Sequence, residues 1–67
     1  MNMYAFATNL CRDNQYDVLV WDTEADSIND DGAKAIARET VTVDETDISG
    51  SIRSAMGLDA DAEIELN

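Results

Sequence analysis

Tyr16-Asp17-Val18-Leu19-Val20-Trp21 is the stretch on which the fold turns. It carries β-branched Val18 and Val20, aromatic Tyr16 and Trp21, and apolar side chains on both faces once Asp17 is passed. Successive strand residues point to opposite faces, so a strand that is apolar on both belongs in the middle of a sheet. Upstream, Asn2 to Leu10 sets Tyr4, Phe6, Thr8 and Leu10 on one face and Met3, Ala5 and Ala7 on the other. That period of two predicts a second strand, with a short helix through residues 3–11 as its rival because Ala and Met suit helices. Cys11-Arg12-Asp13-Asn14-Gln15 is polar and turn-like, so the two strands can pair as a hairpin.

Downstream, Gly32-Ala33-Lys34-Ala35-Ile36-Ala37-Arg38 predicts a helix. Ser27 or Asn29 can cap it, Asp30 and Asp31 suit the positive end of its dipole, and Lys34 and Arg38 lie toward the negative end. Ile28, Ala33, Ile36 and Ala37 form its narrow apolar stripe. Thr40-Val41-Thr42-Val43 reads as a short strand, and Asp44-Glu45-Thr46-Asp47 as an acidic turn ending in a capping residue. A second helix over residues 48–56 then places Ile48, Ile52, Ala55 and Met56 on one face, with Gly57 just past its end. Residues 59–66 alternate strictly between polar and apolar, which as a strand buries Ala60, Ala62, Ile64 and Leu66 and exposes four carboxylates. The expected fold is α+β, one domain over residues 1–67. Its sheet is a single layer, mostly antiparallel, of three to four strands, with two short helices packed on one face.

Composition limits what such a domain can do. Sixty-seven residues hold fifteen Asp and Glu, four Lys and Arg, no His, no Pro and one Cys, for a net charge of −11. A lone cysteine makes no internal disulfide, and a chain without His lacks the usual zinc ligands and every Ser-His or Cys-His catalytic pair. So acidic a surface does not grip phosphates, which takes Lys and Arg. Leu, Ile, Val and Phe number fourteen, next to the compositional zone of disorder. Met, Trp and Tyr raise the candidate core side chains to twenty, enough for one thin domain whose stability should be modest and should rise with salt. The first residues lack the basic flank of a signal peptide, and no apolar run approaches the ~18 residues of a membrane span. A cytoplasmic protein with a free thiol is the expectation.

Three local motifs carry a functional reading beside a plainer one. Ser27-Ile28-Asn29-Asp30-Asp31-Gly32 has the look of a calcium loop, but its first ligand position is Ser and its twelfth falls on Arg38 where a bidentate Glu is needed. A capped helix start accounts for the same residues, so neither metal nor other cofactor is expected. Arg12 beside Cys11 favours a thiolate, yet without a base or second cysteine Cys11 reads as a semi-buried residue at a strand end. Trp21 reads as core, with an exposed interface anchor as the alternative.

The acids cluster. Asp22, Glu24, Asp26, Asp30 and Asp31 fall within ten residues, Asp44, Glu45 and Asp47 within four, and Asp59, Asp61, Glu63 and Glu65 alternate along the last segment without one Lys or Arg. On an extended strand, residues two apart lie ~6.6 Å apart on one face, a spacing comparable with that of backbone phosphates. A solvated edge explains charges of mixed sign; charges of one sign select for a positive partner or for high salt. These twelve carboxylates are the candidate partner-binding residues, and no catalytic or metal residue is assigned.

In size, charge and mixed α/β pattern the chain resembles the small phage-encoded anti-CRISPR proteins of the DNA-mimic kind. The resemblance implies an inhibitor that binds a Cas subunit of a bacterial surveillance complex at its DNA- or PAM-reading surface and blocks target engagement. The charge itself argues against direct contact with nucleic acid or an anionic membrane, and a monomer or weak homodimer is expected, in the host cell's cytoplasm if the chain is phage-encoded. The alternative is a salt-adapted interaction module from a halophile, consistent with one Lys against three Arg and ten Asp. An enzyme using paired carboxylates would need a cleft for which 67 residues leave little room.

Overall fold

Apolar alternation on the first strand and the two-sided character of the second decide the centre of the sheet. The computed structural model describes residues 3–22 and 35–67. Strand β1 (Tyr4–Asn9) pairs antiparallel with β2 (Gln15–Trp21), and β2 pairs antiparallel with β3 (Ala37–Thr42). Helix α1 (Ile48–Met56) follows, and β4 (Glu63–Leu66) returns to lie parallel to β1, giving the four-stranded order β3-β2-β1-β4. The α+β class is as expected, and two of the three strand pairings are antiparallel, but β4 pairs parallel to β1, so the sheet is mixed. β3 and β4 lie on opposite edges and run the same way, because α1 carries the chain across the sheet between them. Such a crossover delivers a parallel strand where a tight turn would deliver an antiparallel one.

One face of the sheet holds the core. Ala5 and Ala7 of β1, Tyr16, Val18 and Val20 of β2, and Val41 of β3 are buried together with Val43 and with Ile52 from α1. Met3, Ile48, Met56, Leu58 and Ile64 pack around that cluster half-buried. Ile52, Val18 and Val20 are the largest side chains wholly removed from water. The opposite face carries Tyr4 and Trp21, directly opposite one another across the β1–β2 ladder. Their ring centroids lie 6.1 Å apart with planes tilted by 41°, within the range of favourable aromatic pairs. Trp21 is 4% exposed, so it is buried as read from the sequence, on the face away from the main cluster.

Helix α1 has the bounds its flanking residues dictate. Asp47 accepts the Gly50 N–H at 3.1 Å, and Gly57 ends the helix at φ 68°, a left-handed conformation that suits glycine. The Leu58 N–H then bonds the Arg53 carbonyl at 2.8 Å, closing the helix end.

Two expectations are corrected. Ala37 and Arg38, placed in a helix by their local sequence, belong to β3, where Ala37 faces Val20 and Arg38 faces Leu19. Ala35 and Ile36 are not helical either: the Ile36 N–H bonds the Val20 carbonyl at 2.8 Å, and its side chain stands 51% exposed instead of facing the sheet. Residues 28–34 of that expected helix lie outside the described residues, and α1 is the one helix among them. Arg38 is held extended by a two-pronged contact to Asp17 on the neighbouring strand, with Nε at 3.2 Å and Nη2 at 2.9 Å. The last segment is a strand only from Glu63 onward, since residues 60–61 form a turn closed by the Ala62 N–H on the Asp59 carbonyl at 3.1 Å. Ala60 is consequently exposed rather than buried, Ala62 is buried, and Leu66 is 44% exposed.

Candidate interaction surface

Carboxylates occupy the two ends of the sheet and one side of β4. At one end the β1–β2 hairpin loop meets the turn between β3 and α1, joined by the Val43 N–H on the Asn14 carbonyl at 2.8 Å. The hairpin loop is tight: Leu10 N–H bonds the Gln15 carbonyl at 3.0 Å, Gln15 N–H bonds the Arg12 carbonyl at 2.9 Å, and the Asn9 side chain accepts the Cys11 N–H at 2.8 Å. Cys11, Asp13 and Asn14 take positive φ values of 59°, 52° and 55° to close it. Cys11 is exposed there, not the semi-buried strand-end residue its surroundings suggested. Between loop and turn lies an open depression of about 420 Å³ whose lining includes Arg12, Asp13, Tyr16 and Glu45.

The turn explains two of its own acids. The Asp44 carboxylate accepts the Thr46 N–H at 2.9 Å and the Thr46 hydroxyl at 2.7 Å, and these bonds, the hydroxyl's first, hold its pKa below the ordinary value. Asp47 caps α1. Glu45 makes no such bond among the described residues, and Asp44, Glu45 and Asp47 are all exposed. Asp13, which the sequence reading left in a polar turn, joins this group; its neighbours became visible only with the sheet order.

Asp22, Asp59 and Asp61 mark the other end, all exposed. Tyr4 pairs with both Trp21 and Glu63 in the adjoining strands, so the Trp21 and Glu63 backbones lie about 10 Å apart, two strand spacings, and Asp22 follows Trp21 directly. Glu24, Asp26, Asp30 and Asp31, like the calcium-like stretch at Ser27–Gly32, lie outside the described residues. The expected row of four alternating carboxylates is therefore two. Glu63 and Glu65 stand ~6.6 Å apart on the face of Tyr4 and Phe6, while Asp59 and Asp61 sit in the preceding turn. The two ends are separated by the length of β1, about 20 Å, more than twice the ~8 Å over which charges interact at physiological salt.

Cations are scarce, and of the three described arginines two are occupied while Arg12 is exposed and makes no ion pair among the described residues. Asp17–Arg38 is the one ion pair among the described residues, and it draws on the only described carboxylate that is not exposed. The Asp17 carboxylate holds the Arg38 pKa above its ordinary value, through the hydrogen bond first and the opposite charge second. Arg53 spends its guanidinium on the Ala62 carbonyl, with Nε at 3.2 Å and Nη2 at 3.1 Å. The other ten described carboxylates are exposed and pair with no cation among the described residues.

Among the described residues no three carboxylate or thiol groups converge as a metal site, and no helix there is long and apolar enough to cross a membrane. No protein-family model, curated protein or solved structure matches the chain.

Proposed function

We propose that the chain is an inhibitory binding protein that covers a basic, nucleic-acid-gripping surface of a host defence complex. Its action is occupation rather than catalysis, and it calls for no cofactor. One observation carries the reading: ten of the eleven described carboxylates are exposed and without a cation of their own. Their charge is available to a partner. Lys and Arg that ordinarily hold phosphates would pair with them, and association would be fast and salt-sensitive. A Cas subunit of a CRISPR surveillance complex is the partner suggested by the likeness to acidic anti-CRISPR proteins, with Glu63 and Glu65 at phosphate-like spacing as the contact and Asp59 and Asp61 beside them.

The test reverses Asp59, Asp61, Glu63 and Glu65 to Lys and measures binding to the candidate complex in rising salt. Loss of affinity together with a flattened salt dependence is expected. Unchanged affinity removes this side of the molecule as the contact.

A second reading is favoured by the spread of acids over both ends of the sheet instead of one face: a salt-adapted interaction module. Circular dichroism separates the two. A chain folded at physiological ionic strength fits the inhibitor, whereas one that folds only near salt saturation fits the halophile.

A further inference from the structure

β4 is a four-residue edge strand with one side taken by β1. The Glu63 N–H donates to the Met3 carbonyl at 3.1 Å and the Asn67 N–H to the Ala7 carbonyl at 2.8 Å, while the Asn67 carbonyl accepts the Asn9 N–H at 2.9 Å. Alternate residues of a strand aim their backbone groups to opposite sides. With residues 63, 65 and 67 turned toward β1, Ile64 and Leu66 aim their N–H and C=O groups outward, and no described strand pairs with them. The two faces of this edge differ. Glu63 and Glu65 are exposed on one; Ile64 is half-buried and Leu66 is 44% exposed on the other, the side of α1.

We propose that this edge takes up an extended segment of the partner as a fifth strand, and that the segment alternates Lys or Arg with apolar residues. The proposal rests on the acidic-surface reading above and specifies its partner. Main-chain bonds to Ile64 and Leu66 supply affinity, as in strand addition generally, and alternate side chains supply selectivity. Cationic positions meet Glu63 and Glu65 while the apolar positions between them cover Leu66 and the rim of Ile64. A second copy of this chain fits poorly, since antiparallel β4–β4 pairing sets the same glutamates against each other, and like charges across a ladder are destabilising. The other edge, β3, offers no such match: Arg38 is held by Asp17, Glu39 is its single carboxylate, and Thr40 and Thr42 are neutral.

The full chain, isotope-labelled, is titrated with a short synthetic peptide alternating Lys and Val, and with one of the same composition in which Lys and Val form separate blocks. The alternating peptide should bind about ten-fold tighter or better, shift the Ile64 and Leu66 amides and slow their exchange with solvent. Leu66→Pro deletes one outward donor without touching the bonds to β1, and Glu63→Lys with Glu65→Lys reverses the charged face. Each should weaken the alternating peptide by about ten-fold or more. Equal binding of both peptides, with shifts spread over both acidic ends, overturns strand addition and leaves the acidic-surface reading standing. Binding of neither overturns both. Shifts along β3 overturn the choice of edge. Should Leu66→Pro fail to fold, the difference between the two peptides and the slowed exchange of the Ile64 and Leu66 amides decide.

Discussion

Asp47 and Gly50 form a local conflict that a single helix propensity does not describe. A Cβ built on Gly50 would collide with the Asp47 carboxylate that caps the helix there. Glycine inside a helix ordinarily costs ~1 kcal/mol relative to alanine, and loss of an aspartate cap costs a similar ~1 kcal/mol. Gly50→Ala should therefore be close to neutral in the natural chain and stabilising by about 1 kcal/mol once Asp47→Ala has removed the cap. Urea unfolding of the two single variants and the double variant measures that coupling. In the turn beside it, the lowered Asp44 pKa has a definite sign. A carboxyl group held below its unfolded value of about 3.9 lends stability above that value and loses it as pH falls through the folded value. Thr46→Val deletes the larger cause, so the Asp44 carboxyl should titrate closer to its ordinary value, read by carboxyl NMR; an unmoved titration would assign the shift to the backbone N–H. Across the hairpin, Cys11 sits at φ 59° with a side chain that makes the left-handed region costly. Cys11→Gly should stabilise by roughly 0.5–1 kcal/mol, the relief of strain less the added freedom of the unfolded chain. A lower urea midpoint would show that the loop already accommodates the side chain.

Arg53 ties two elements, since its guanidinium reaches from α1 to the Ala62 carbonyl just before β4. Replacement by Ala should cost about 1–3 kcal/mol, the worth of a hydrogen bond to a charged group. Arg53→Lys should recover only part of this, because an ammonium lacks the guanidinium fork. Hydrogen exchange should quicken first at Glu63 and Asn67, which donate to β1; uniform quickening would mean that β4 does not open by itself. The same elements show what could be read from local sequence. β1, β2 and α1 were legible because period, capping residue and terminating glycine all act within a few residues of one another. The start of β3 was not, because Ala37 and Arg38 are locally at home in a helix and are drawn into the sheet by Val20, Leu19 and Asp17 across the ladder. Residues 59–62 alternate like a strand, yet Asp and Ala have little preference for one, and a turn wins there. The candidate surface suffered the same way. Exposure of its acids followed from composition, whereas the placing of Asp13 and Glu45 around one depression follows from strand order, which no local pattern encodes.

At the scale of the molecule the uncompensated charge opposes folding. Raising ionic strength from about 0.01 M to about 1 M shrinks the screening length from ~30 Å to ~3 Å, so the urea midpoint should climb steadily over that range. A flat response would mean that the two acidic ends lie too far apart for their repulsion to matter. The topology gives this charge another significance. Among the described strands β4 comes last and pairs with the earliest, whereas the β1–β2 hairpin closes over a loop of a few residues. Hairpins form in microseconds, and contacts between distant parts of a chain come later. Until β4 arrives, one edge of β1 is open, with the bare backbone of Ala5 and Ala7 offered to any other strand. Two nascent molecules that meet in this interval repel each other through the carboxylates at both ends of the unfinished sheet. The acidity that opposes compaction of the finished protein thereby guards its least finished form against aggregation.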